Sequence, residues 1–343
     1  MTAGGGMRFS VDGWDPAYGS SVEAEEDDLG ESSARVEVNV ELPAGQWRAI
    51  APDPALPRPA ALLFVDGVRR IEARVWIENN TPSGVRDPDL TARGREASAA
   101  LCASYAAGVV RCCGGQAQLV FAETRRGLFT VAPHAADIVT WAGEYTACHV
   151  AAPAAGKPLS MTLSQALQGR LAEVEVAAAV EARAAVTGQD VPPEADLLVI
   201  DGPLRGRQHL PRTLGYIKSH RSVYLPPEQN ALVSELTPGQ RTPVFLVGTN
   251  WDRHTWYLRL PGATGAPWAG IVRVECSADL PVRQAIGLAG LSQVCLGRFA
   301  STQYKDGRAP QNLYPISGLE RELRRRLGDA KLLYRALRLS AAS

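Results

Sequence analysis

The sequence predicts an α/β fold, a mixed β-sheet with helices on its faces, behind an N-terminal extension. Three observations carry the prediction. Apolar runs of strand length, "ALLFVDGV" (61–68) and "LLVIDGPL" (197–204), end in turn-forming residues. One long amphipathic stretch, 159–186, lies between them. The order of elements is strands, helix, strand, strands, helix, helix, which suits a meander followed by βα units.

The N-terminal extension is assigned to 1–58 and the main domain to 59–343. In the extension, "VDGWDPAYG" (11–19) carries two aromatics for local docking, and "EAEEDDLGESS" (23–33) is an acid-rich, solvated segment. "ARVEVNVEL" (34–42) alternates Val36, Val38, Val40 and Leu42 with polar residues, as a half-buried strand does. "APDPALPRP" (51–59) is a proline-rich connector. In the main domain, "ALLFVDGV" and "RRIEARVWIEN" (69–79) read as a hairpin turned at Gly67–Arg70. The stretch 94–110 is open between helix and loop. "QAQLVFAETRRGLFTVAP" (116–133) reads as a second hairpin, turned at Arg125–Gly127.

The long helix lines up Leu163, Leu167, Leu171, Val174, Ala178 and Ala182 on one face, and Thr162 with Gln165 fits a capping box. "TPVFLVGT" (242–249), "HTWYLRLP" (254–261) and "GIVRVECS" (270–277) are further strands. Residues 280–301 are helical, and 317–340 form a helix interrupted at Gly328-Asp329, with Ser317 and Glu320 as a second capping box.

Composition narrows the function. The 36 basic and 36 acidic side chains cancel, which argues against a free-standing, tight nucleic-acid binder but not against an enzyme handed its strand by a partner. No apolar run is long enough for a membrane span and no secretory pattern opens the sequence, so a cytoplasmic chain is expected. The six cysteines show no zinc spacing and are expected as free thiols, with Cys112 and Cys113 buried in a strand.

Asp66 and Asp201 carry the chemistry. Each ends an apolar run and precedes a glycine. An Asp-Gly pair is also an ordinary turn. Ligands of open α/β sheets bind beyond the carboxyl ends of strands, and neighbouring strands would bring the two acids together. Two carboxylates that close require a counter-cation, and hard divalent ions take carboxylate oxygens. Such ions activate water and stabilise the leaving oxygen in phosphodiester hydrolysis. A third acid belongs on the long helix. Glu173 points away from the apolar face, Glu175 flanks it, and Glu181 lies near it toward the helix end; Glu175 is favoured and Glu181 is the alternative.

These motifs, in this order, resemble the NurA nucleases. "FVDGV" and "VIDGPL" are similar to that family's two acidic motifs, "LQGRLAEVEVAAA" (167–179) to the helix bearing its glutamate, and "RAPQNLYPISGLERELRRRLGD" (308–329) to its C-terminal segment. The resemblance spans roughly 60–335. It implies a ribonuclease H-like core and a DNA nuclease dependent on Mn2+ (or Mg2+). It also implies a homodimer that works with the hexameric translocase HerA in DNA end processing or phage defence. Asp66, Glu175 and Asp201 would then be the catalytic and metal-holding residues. One departure stands out: the family's histidine after "YP" is missing behind Tyr314-Pro315, and Glu320 or Glu322 would have to replace it.

Arg205, Arg207 and Lys218 follow Asp201 closely and are the candidate DNA contacts, Lys218 by resemblance to the family's "LGYIK" segment. The arginines of "LERELRRRLG" read instead as i,i+4 partners of Glu320 and Glu322. The aromatics of "NWDRHTWYL" (250–258) read as packing between strands. No phosphate-binding loop is present, so ATP hydrolysis would belong to the partner. The rival reading is a non-catalytic adaptor on a ring ATPase. Either way, the expected partner surface lies at 1–50 and 330–343.

Overall fold

A computed structural model of the chain describes residues 7, 9–11, 34–78, 97–186, 192, 195–218, 223–262, 268–302 and 309–342. The acid-rich segment 23–33 and most of 11–19 lie outside these residues.

Three long strands form the meander: β3 (Ala61–Glu78), β4 (Ala97–Cys113) and β5 (Gln116–Thr130), following the short β1 (Phe9–Val11) and β2 (Arg35–Glu37). After β6 (Ile138–Thr140) and β7 (Gly143–His149), helix α1 (Leu159–Val186) crosses over to β8 (Asp196–Asp201) and β9 (Thr213–Ile217). Then come α2 (Pro227–Glu235), β10 (Phe245–Gly248), β11 (Asp252–Arg259), β12 (Ile271–Ser277), α3 (Val282–Leu296), α4 (Tyr314–Arg326) and α5 (Ala330–Ala341).

The strands join in one mixed sheet, ordered β2-β10-β11-β12-β9-β8-β3-β4-β5-β7-β6, with β1 paired to β3. At its centre β3, β4 and β5 run antiparallel, β8 is parallel to β3, and β9 is parallel to β8. The extension is stitched into the same sheet, through β1 on β3 and β2 on β10.

Helices cover both faces. Ala61, Leu63 and Val65 of β3 pack under the stripe of α1 that runs from Leu163 to Val186. Leu62, Phe64 and Val68 point to the opposite face, where Leu288 of α3 and Leu319 and Leu323 of α4 close a second core. Glycine permits the closest approach of α4, because a Cβ on Gly108 of β4 would meet Leu319 and Leu323 at 3.2 Å and the Phe121 carbonyl at 2.8 Å.

Several readings of the sequence change. Residues 61–78 are not a hairpin but one continuous strand; Asp66 and Gly67 stay in the ladder, paired with Gly108 and Ala107. Residues 94–110 are neither helix nor loop where described: 97–113 is a strand buried on both faces, so its apolar run has no period. Residues 116–130 are a single strand, and the hairpin turns earlier, at Gly114-Gly115, both at positive φ (57° and 81°). Cys113 is exposed while Cys112 is buried, the alternation of a strand.

Neither capping box forms. Thr162 lies inside α1, its hydroxyl on the Pro158 carbonyl (3.4 Å), and α4 already starts at Tyr314, ahead of Ser317. The break at Gly328 is real (φ 86°), and Asp329 caps α5 by accepting from the Leu332 amide at 3.0 Å. The "NWDRHTWYL" aromatics do pack: Trp256 and Tyr257 are buried, and the Trp256 indole donates to Ser292 at 3.0 Å. No described helix is long and apolar enough to cross a membrane.

Candidate acidic site at the end of the parallel strands

The parallel pairing of β3 with β8 ends at Val65–Ile200, which places Asp66 and Asp201 level on adjacent strands. Adjacent strands lie about 4.8 Å apart. Asp66 therefore sits in mid-strand, not at a strand's end, but at the point where its parallel neighbour stops. By alternation Asp66 shares the face of Phe64 and Asp201 that of Val199, both on the side covered by α3 and α4.

Asp66 is only 8% exposed, and its Oδ1 accepts from the Gly67 amide at 2.8 Å. Burial pushes its carboxyl well above the usual range; Asp201 pushes the same way, Lys218 opposes, and Glu175 adds a smaller upward push. Lys218 follows β9 on the same face. Its ammonium donates to Asp201 Oδ2 (2.6 Å) and to the side-chain oxygen of Asn312 (3.0 Å). Asn312 is fully buried, two residues before α4. Its segment is tied down by the Tyr216 hydroxyl, which donates to the Gln311 carbonyl at 2.6 Å.

Glu175 arrives from α1, on the other face. It is 4% exposed and pairs with the buried guanidinium of Arg207. It lies against Gly67, where any Cβ would collide with its carboxylate and with Leu171. The glycine after Asp66 thus serves helix approach rather than a turn. Burial raises the Glu175 carboxyl; Arg207 opposes and Asp201 adds to the rise. Glu173 and Glu181 are exposed, and Glu173 pairs with Arg170 at 2.8 Å.

A second buried carboxylate shapes the loop after Asp201. Glu275 of β12, wholly buried, accepts from the Leu204 amide at 2.7 Å and faces Arg253 (3.3 Å) and Arg273 (3.7 Å). Leu204 in turn accepts from the Arg207 amide at 2.7 Å, so this network sets the turn that delivers Arg207 to Glu175.

The structure thus brings Asp66, Asp201 and Lys218 together and holds Glu175 close behind them. Arg207, expected as a strand contact, is an interior partner of Glu175, and only Arg205 of that group stays exposed. Glu320 pairs with Arg324 at 2.9 Å, and Glu322 with Arg325 and Arg326 at 2.7 and 2.9 Å, as ion pairs along α4. The sequence reading missed Asn312. Its only signal was an amide side chain just ahead of Tyr314-Pro315. His254 is a buried packing residue, its Nε2 3.3 Å from the Leu280 carbonyl.

The donor chemistry suits a hard divalent ion: two level carboxylates, an amide oxygen, and an ammonium already at a cation's position between Asp201 and Asn312. Among the described residues, no three His, Cys, Asp or Glu side chains converge closely enough to hold an ion as they stand. Arg207 and Lys218 hold Glu175 and Asp201 by their own charges.

No protein-family model matches the chain, and no curated protein does. Among solved structures, it is similar to the crystal structure of the NurA nuclease from Sulfolobus solfataricus, over 84% of this chain and 86% of that one, with 9% identity and a TM-score of 0.42.

Proposed function

We propose that the chain is a metal-dependent nuclease that hydrolyses phosphodiester bonds in DNA. The observation that carries this is the level pair Asp66 and Asp201 on one face, Asp66 buried and Asp201 half-buried, with the Lys218 ammonium against their charge. Such an arrangement is costly for a fold to keep unless a cation is to be held there. Asp66 and Asp201 would hold Mn2+ or Mg2+, with Asn312 and Glu175 completing the set. The bound ion would supply an activated water and stabilise charge on the phosphoryl oxygens.

The chain's own groups have separable tasks. Lys218, drawn off Asp201, can donate to a non-bridging phosphate oxygen and offset its negative charge. Arg207 holds Glu175 in place from behind. Arg205, at the exposed turn, can meet the phosphate backbone of the strand. The near-neutral chain calls for delivery of that strand by a partner, for which a HerA-like hexameric ATPase and a homodimeric nuclease are the proposed assembly.

The test is cleavage of a labelled duplex and a labelled single strand with Mn2+ and with chelator. The wild type should cut only with the ion, and Asp66→Asn and Asp201→Asn should each be inactive. Near wild-type cutting by either variant would end the reading.

One observation favours a second reading, a non-catalytic adaptor of a ring ATPase: Lys218 already satisfies Asp201 and Asn312. Calorimetric titration with Mn2+ separates the two. Saturable binding lost in Asp201→Asn supports the nuclease, and no binding supports the adaptor.

A further inference from the structure

A cavity of about 500 Å³ lies between the tip of the β4–β5 hairpin and the first turns of α4. Its floor is apolar, built from Leu62, Val110 and Leu119 of the sheet with Phe299 and Leu319. The volume is in the range of small-molecule pockets. None of the acidic-site residues lines it.

Two features at its edge point to the ligand. Arg58 and Arg298 both line the cavity and both are exposed. Neither has an ion-pair or hydrogen-bond partner among the described residues. Both act on Cys295, whose thiol burial raises to about 11 while the two guanidiniums pull it down, so they share one neighbourhood. Glu322, also at the rim, is taken up by Arg325 and Arg326.

The second feature is Gly318, inside α4. Glycine is a poor helix former, and here neither usual reason for it applies. Its φ is not positive, and a Cβ would meet nothing within 4 Å. It does line the cavity. A side chain there would project into open space at the cavity wall, so the glycine's effect is to keep that space clear.

We propose that this cavity binds a small amphipathic anion, its apolar body on the Leu62–Leu319 floor and its single anionic head on Arg58 and Arg298. An uncharged apolar ligand would leave the two guanidiniums unused, and a purely polar anion would leave the floor wet. The inference stands whether or not the acidic site cuts DNA.

The experiment is a fluorescence titration of the full chain with anilinonaphthalene sulfonate, an anionic aryl probe that brightens in apolar surroundings. Binding should saturate at one probe per chain. Dodecanoate should displace the probe, and dodecanol should do so at least about tenfold more weakly, because it lacks the charge. Combined Arg58→Ala and Arg298→Ala should weaken the probe by about tenfold or more. Gly318→Leu should abolish binding with the melting temperature equal to or above that of the wild type, since it fills the cavity while improving the helix. Unchanged binding in a folded Gly318→Leu chain would overturn the site. Equal displacement by acid and alcohol, or no loss on removing both arginines, would overturn the assignment of the anionic head.

Discussion

Asp66 is held in a form its surroundings disfavour. Its carboxyl titrates above the unfolded value because burial and Asp201 oppose its charge. The folded state therefore binds a proton more readily than the unfolded one. That contribution to stability is full below the unfolded pKa and is lost as pH rises through the folded one. Asp66→Asn removes the penalty along with the proposed activity. In chelator, the melting temperature of Asp66→Asn should exceed that of the wild type at about pH 8, and the gap should close toward about pH 4. Mn2+ should raise the wild type at the higher pH and leave the variant unmoved. A constant gap across pH would show that Asp66 is not held against its charge. Glu175 poses a different case at the same scale. Glu175→Gln leaves Arg207 buried with no opposite charge and should cost about 3 kcal/mol, whereas Glu173→Gln, on the exposed side of α1, should stay within about 0.5 kcal/mol. Urea unfolding of both variants measures the contrast, and equal costs would contradict the interior pairing of Glu175.

Elements are set against one another by close approaches rather than by helix caps. Helix α4 lies on β4 at Gly108, where backbone as well as side chains bound the space. Gly108→Ala cannot be relieved by a rotamer change alone, because the Phe121 carbonyl stands at 2.8 Å from the new methyl. The expected loss is about 1–3 kcal/mol, read from chemical unfolding. Helix α4 should also shift, and with it Asn312 two residues upstream, so the variant should bind Mn2+ more weakly than wild type. Gly318→Ala on the same helix meets nothing within 4 Å and should be neutral or stabilising. Weakening by Gly318→Ala as large as by Gly108→Ala would refute the distinction between a packing glycine and a clearance glycine.

For the whole molecule the decisive quantity is charge. With 36 basic and 36 acidic side chains, little long-range attraction draws in a polyanion. Four of the basic side chains are also committed to buried or half-buried acids: Arg207 to Glu175, Arg241 to Glu41, Arg183 to Asp196 and Lys218 to Asp201. The isolated protein should bind DNA weakly, with a shallow dependence of log affinity on log salt. Cleavage should become more processive when a hexameric translocase holds the strand at the site, through effective concentration. The comparison is binding and cutting with and without the ring ATPase at fixed salt. Tight, processive action by the chain alone, or no change on adding the ATPase, would count against the proposed partnership.

The sequence by itself determined the α/β class, the crossover helix and its buried face, and the strands that carry the two aspartates. Those are local properties: Leu163 through Ala182 repeat at helical spacing, and Leu197–Ile200 is an unbroken apolar run. It also favoured Glu175, with Glu181 as the alternative, because flanking the apolar stripe is a matter of position on one helix; the structure shows Glu175 buried and Glu181 exposed. Tertiary structure decided what pairing decides. Asp66-Gly67 looks like a turn until Gly108 and Ala107 of β4 hold both residues in the ladder. Strands buried on both faces, such as 97–113, carry no alternation to read. The level placement of Asp66 and Asp201 follows from β3–β8 register, and Asn312 beside Lys218 from the fold of a distant segment. Arg207 reads as a surface cation in one dimension, yet it is interior because Glu275 anchors the turn before it, and an ion pair between α1 and a loop is a relation that residue spacing does not encode.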